Sequence, residues 1–139
     1  MNSNQWQGND SGGQPYVANL NAASIRNTNY RMALWTGKKL QMTVMSISPG
    51  QSIGIENHPD TEQFFYIEQG VGIAMMGDRE NNLNFKHNIF PGFAVIVPAG
   101  KWHDIVNTGK NDLKLFTIYA PPHHKKGIIQ SSKPVSNNE

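Results

Sequence analysis

The chain has 139 residues, a formal net charge of +2, 13 glycines, 8 prolines and no cysteine. That length suits one domain with a sizeable core, and so small a charge, concentrated near Lys125, Lys126 and Lys133, argues against a nucleic-acid partner. Lacking cysteine, the chain has no disulfide framework, no thiolate metal site and no cysteine nucleophile.

The opening Met1-Asn-Ser-Asn-Gln-Trp6 has neither a basic nor an apolar signal region, and no run of eighteen apolar residues follows anywhere. Neither a signal peptide nor a membrane span is expected, and the expected location is the cytoplasm. Residues 1–15 are Asn, Gln, Ser and Gly with little to bury, so a disordered leader is expected there. Leu20 to Ile25 reads as one short helical turn.

A series of short Val-, Ile-, Phe-, Tyr- and Met-rich runs then begins, each closed by a turn signal. Leu40 to Ile47 stops at Ser48-Pro49-Gly50, and Ser52 to His58 stops at Pro59-Asp60. Gln63 to Glu68 ends at Gln69-Gly70, and Val71 to Met76 at Gly77-Asp78. Leu83 to Lys86 is weaker. Ala94 to Val97, Trp102 to Val106 and Leu113 to Tyr119 complete the set. Turns every eight to twelve residues, with no sustained helical period, predict an all-β antiparallel sandwich or barrel. From His123 the chain is polar and basic, apart from Ile128-Ile129, and is expected to be a loosely held tail over 123–139. The globular domain is expected over 16–122.

Successive strand side chains face opposite ways, so Glu56 and His58 are expected on one face. The Pro59-Asp60 turn is expected to reverse the chain, and Gln63 to start the strand returning alongside. His103, just past the Pro98-Ala-Gly100 turn, is placed to add a fourth group from a different strand. Oxygen and imidazole donors of this kind suit a first-row divalent ion: Mn, Fe, Zn, Ni or Co.

The spacing Gly92, Pro98, Gly100, His103, Asn107 fits the second cupin motif at every position, and Gly50, Glu56-x-His58, Gln63 and Gly70 follow the first. The chain resembles the cupins over roughly residues 39–122, which implies an antiparallel double-stranded β-helix, or jelly-roll barrel, with a metal in its interior. Carried over position by position, the implied metal set is Glu56, His58, Gln63 and His103. It departs from the family's usual three histidines and one glutamate. A carboxylate stands for the first histidine, and an amide for the glutamate. The net ligand charge is unchanged at one negative. Fewer imidazoles should weaken binding of softer ions such as Cu and Ni.

Single residues also carry blander roles. His58 beside Pro59 suits a turn, Glu56 a solvated strand position, and Gln63 a hydrogen bond to Glu56 or to a ligand. His87, His123 and His124 fall in no ligand pattern and are expected at the surface. Asp104 and Asn107 are expected to shape their hairpin, and Phe64-Phe65-Tyr66 to serve core and interface. If Gln63 points inward, so do Phe65 and Ile67, leaving Phe64 and Tyr66 on the other face. Such a face needs a covering layer, and a homodimer partner is the simplest one.

Two functional classes follow. One is a metal-dependent enzyme on a small oxygen-rich molecule such as a sugar, sugar phosphate or keto or hydroxy acid: an isomerase or epimerase, a lyase or a dioxygenase. Glu56, His58 and His103 would be its catalytic residues. The alternative is a barrel that binds a small ligand without turning it over. An inert assembly module is the least favoured, since a polar cluster in a barrel costs stability unless paired or metal-bound.

Overall fold

A computed structural model describes residues 10–135. Nine strands and one helix run in the order α1 (Leu20–Arg26), β1 (Arg31–Thr36), β2 (Gln41–Ile47), β3 (Glu62–Gln69), β4 (Gly72–Gly77), β5 (Phe85–Ile89), β6 (Ala94–Val97), β7 (Trp102–Asn107), β8 (Leu113–Ala120) and β9 (Ile129–Gln130). They form a six-stranded sheet, β6-β3-β8-β2-β1-β9, facing a three-stranded one, β5-β4-β7, and every pairing is antiparallel. This is the all-β antiparallel architecture that the turn spacing predicts, in the form of the double-stranded β-helix that the cupin resemblance implies. Met45, Phe65, Ile67, Ala74, Ile105 and Leu115 bury their side chains between the two sheets.

Most predicted runs become strands, but one does not. Residues 52–58 form no regular strand and touch β7 through two isolated bridges, Ser52 with Val106 and Glu56 with His103. The expected hairpin between this segment and β3 is absent: β3 pairs with β6 and β8. β1 went unpredicted because its first four residues are all buried, so no alternation marks it. Among the described residues no helix is long and apolar enough to cross a membrane.

Gln63, Phe65 and Ile67 do share the inward face of β3, each nearly inaccessible. The outward face of the large sheet is covered in part by the chain itself. α1 opens on Asn19, whose side chain accepts from the Ala22 amide at 3.0 Å, and lies across β2, β3 and β8. Its Ala23 and Leu20 pack with Met32, Leu34, Val44 and Phe116, and the Tyr66 ring stacks on Phe116 at 5.4 Å. Phe64 and Tyr66 themselves stay half-buried, and Ile96, paired with Phe64 on the same face, is 61% exposed.

Residues 123–130, expected as loose tail, are held in place. Gln41, fully buried, accepts from the His123 and His124 amides at 3.2 and 2.8 Å and donates to the His124 carbonyl at 2.9 Å. β9 then pairs with β1. Of the expected leader, residues 1–9 lie outside the described residues. Asp10 is fixed, accepting from Thr36 Oγ1 at 2.5 Å and the Gly127 amide at 2.9 Å. A polar composition concealed both anchors, because hydrogen bonds rather than apolar burial secure them.

Candidate metal centre

The candidate centre is built on β7 and on the irregular segment that crosses it. Pro98, Ala99 and Gly100 make the turn before β7, with Gly100 at φ +81°, a conformation that favours glycine. Its amide donates to the His58 carbonyl at 2.9 Å, tying the turn to the neighbouring candidate ligand. Glu56 and His103 exchange two backbone hydrogen bonds, each 2.9 Å. His103 thus lies beside Glu56 in one local pairing, not on a separate hairpin.

The side chains converge. Glu56 Oε1 lies 3.4 Å from His58 Nε2 and 3.8 Å from His103 Nε2, and the two rings are 5.4 Å apart. His58 and His103 are buried, and the Glu56 side chain is 10% exposed. His103 Nδ1 lies 3.0 Å from the Lys101 carbonyl. A proton held there leaves the Nε2 lone pair facing the cluster, as a metal-binding imidazole requires.

Burial alone would push the Glu56 carboxyl upward. The His58 imidazole and the charge of Arg31 outweigh it and hold this carboxyl below its ordinary range. His103 moves down as well, chiefly because burial disfavours its charged form. An ionised carboxylate beside a neutral imidazole is the donor state that a metal site needs.

Gln63 sits on the inward face of the opposite sheet, paired with Tyr119, whose ring lies 6.1 Å from His58. Its Nε2 donates to Thr117 Oγ1 at 3.0 Å, and its Oε1 is buried with no hydrogen-bond partner. His58 Nε2 and His103 Nε2 are unpartnered in the same way. Buried polar atoms without partners cost roughly 1–3 kcal/mol each, and Arg31 Nε and Thr43 Oγ1 on the same inward face are unpartnered too; the two imidazole nitrogens, both beside Glu56, are the ones a single ion would satisfy together. The donor set fits a divalent ion. Donors about 2.1 Å from one ion sit about 3.0–3.4 Å apart, close to the spacings around Glu56 Oε1.

His123 and His124 depart from the surface expectation. The His123 ring centroid is 4.0 Å from His58 and stacks on Tyr119 at 5.8 Å, so it borders the cluster. His124 is buried, with Nε2 3.2 Å from the Tyr119 hydroxyl. The signal available in the sequence was the pair Pro121-Pro122 directly after an inward-facing Tyr119, which turns the next residues back over the barrel. His87 is exposed as expected. Asn107 shapes the turn between β7 and β8, which lie in different sheets, rather than a hairpin: Nδ2 donates to the Ile47 and Asn111 carbonyls, and Oδ1 accepts from Gly109.

Known proteins give the same outline. A family model described as a cupin domain matches residues 43–119. The Bacillus subtilis (strain 168) protein YrkC is 48% identical over 124 residues, covering 89% of this chain and 67% of its own. Protein L612 of Acanthamoeba polyphaga mimivirus is 39% identical, covering 88% of this chain and 76% of its own. The crystal structure of BH2720 from Bacillus halodurans superposes with a TM-score of 0.88 at 46% identity, covering 89% of this chain and 94% of that one.

Proposed function

The chain belongs to the cupin family, and we propose that it holds a divalent metal ion on Glu56, His58, His103 and Gln63 and acts on a small oxygen-bearing molecule there. One observation carries this reading: two imidazole nitrogens, His58 Nε2 and His103 Nε2, lie buried within 4 Å of an ionised Glu56, and Gln63 Oε1 is buried without a partner on the inward face of the opposite sheet. Mn, Fe, Zn, Ni and Co all accept such oxygen and imidazole donors. The bound ion would supply Lewis acidity towards a carbonyl, hydroxyl or carboxylate oxygen.

The chain's own residues set the rest. Burial of His58 and His103 keeps bulk water off the site, which strengthens every charge interaction inside it. The Lys101 carbonyl fixes the His103 ring. With Oε1 and the imidazole Nε2 atoms given to the ion, the second carboxylate oxygen of Glu56 is the atom that would take a proton from a bound substrate. Isomerase or epimerase, lyase and dioxygenase chemistry all begin from such a polarised, oxygen-bound substrate.

Non-catalytic binding of the same class of ligand is the second reading, since the deep burial of the cluster serves retention as well as turnover. Metal-loaded protein screened against sugar phosphates, keto acids and catechols separates the two. Product formation that is lost in His103→Ala supports the enzyme. Saturable binding with every substrate recovered unchanged supports the binder and removes the enzyme.

A cytoplasmic location and a homodimer are carried forward as proposals. α1 covers part of the outward face, and a second copy would cover the half-buried Phe64 and Tyr66 and the exposed Ile96 beside them. Mass in solution decides, and a monomer removes the dimer.

A further inference from the structure

Three strand pairings place one row of side chains across the small sheet and beyond it. Phe85 pairs with Met76, Met76 pairs with His103, and His103 pairs with Glu56. Directly paired residues point to the same face, with side chains about 5 Å apart. Phe85 therefore lies about 10 Å from His103 on the same inward wall of the barrel.

An inward-facing aromatic in a barrel should be covered, and Phe85 is 57% exposed. β5 and β6 are edge strands of the two sheets, and Ile96 of β6, paired with Phe64 on the outward face, is 61% exposed. Between these two edges runs an open apolar channel. One cavity of about 370 Å³ and another of about 260 Å³ share Met76, Phe85 and Ile96. That size is in the range of small-molecule pockets.

Asp78, Asn84 and Lys101 line only the smaller cavity, where Lys101 Nζ donates to Asp78 at 2.5 Å, and the larger one has His87 as its single polar side chain. A sugar lying along the larger one would set most of its hydroxyls against apolar side chains, which selects against polyols. Met76 is the hinge between the two environments. It packs on the core, lines both cavities and stands next to His103.

We propose that the site's ligand is two-ended: an oxygen-bearing head at the Glu56–His58–His103 cluster, and a ring-sized apolar body lying along Met76, Phe85 and Ile96. The class is an aryl- or branched-alkyl-substituted keto or hydroxy acid, not a sugar or sugar phosphate. This proposal rests on the metal reading above for its head group and on the channel for its body.

The test uses two probes with one head group. Phenylpyruvate and pyruvate differ only in the phenyl ring. Each is titrated calorimetrically into metal-loaded full-length protein, with fructose 6-phosphate as a third probe. Burying the ring predicts phenylpyruvate at least about tenfold tighter than pyruvate. Met76→Glu should remove most of that advantage. Ile96→Asp, a change at an exposed position, should reduce the advantage too and covers the case in which Met76→Glu does not fold.

Equal affinity for the two acids, or tighter binding of fructose 6-phosphate, overturns the proposal. So does an advantage that survives Ile96→Asp. If the channel is instead the seat of a second copy, the parent sediments as a dimer, Ile96→Asp as a monomer, and phenylpyruvate gains nothing over pyruvate. Failure of the metal reading looks different: phenylpyruvate binding that depends on Ile96 but is unchanged when metal is stripped leaves the channel standing without the ion.

Discussion

Glu56 and His103 are locked together twice over: each backbone amide donates to the other's carbonyl at 2.9 Å, while Glu56 Oε1 lies 3.8 Å from His103 Nε2. The backbone pairing survives any change of side chain, so Glu56→Gln should keep the fold and lose the charge. Its metal-free stability should stay within about 1 kcal/mol of the parent, because removing a buried carboxylate also removes its desolvation cost. Ion affinity should fall at least about tenfold, since a charged donor becomes a neutral amide. Thermal melts with and without added Mn or Zn check both halves. The parent should gain about 2.7 kcal/mol when free ion is a hundredfold above Kd, and the variant should gain less at the same ion concentration.

Gln63 offers the opposite change. Its Oε1 is buried without a partner while its Nε2 is used by Thr117. Gln63→Glu adds a second carboxylate where the family pattern has one, and the Thr117 hydroxyl can turn to donate to it. Affinity for hard divalent ions should rise by about tenfold, and metal-free stability should fall because two carboxylates then share a buried site. Competition against a metallochromic chelator measures the first effect and melting in chelator the second.

The two cupin motifs were legible because glycine and proline at fixed spacing leave few backbones open to them; both strands of the Gly92-to-Asn107 stretch form, yet they are no hairpin, since β6 pairs with β3 in one sheet and β7 with β4 in the other. The route by which the donors meet was not legible. Residues 52–58 alternate like a strand, yet they reach His103 through single bridges to β7, and Gln63 approaches from the other sheet. Alternation reports which face a residue takes and says nothing about which strand lies beside it. The same limit hid His123 and His124: their place depends on Gln41, some eighty residues away, gripping their backbone.

His124 makes the fold acid-sensitive. Burial, helped by the charge of Arg31, pushes its pKa from 6.5 down to about 2. The unfolded chain binds a proton at this residue below about pH 6.5, and the folded chain does not. Stability from keeping it neutral is complete above that pH and declines as pH falls towards 2. The loss should reach about 2 kcal/mol by pH 5. His124→Gln should start less stable at pH 7.5, having lost the contact with Tyr119, and should decline less steeply between pH 6.5 and 5. Urea unfolding at four pH values compares the two slopes.

Gly100 couples the turn to the metal donors. At φ +81° an alanine is strained even though its methyl meets nothing within 4 Å, so Gly100→Ala should cost about 1–2 kcal/mol. The same backbone unit donates to the His58 carbonyl. A shift there should displace His58, and ion affinity should fall along with stability. Asn107→Ala, which breaks the bonds to Ile47 and Asn111 at the far end of β7, should reduce stability and leave affinity unchanged. Denaturant midpoints and ion titrations on the two variants separate positioning of the site from support of the fold.

The central claim is that the unpartnered donors around Glu56 exist to hold a divalent ion. It is tested most directly by the metal content of protein purified without chelator or affinity metal, measured beside the Glu56→Ala/His103→Ala double variant. About one equivalent of a first-row divalent ion in the parent, and close to none in the double variant, is the predicted result. A substoichiometric amount in the parent, equal to that in the double variant, would contradict it.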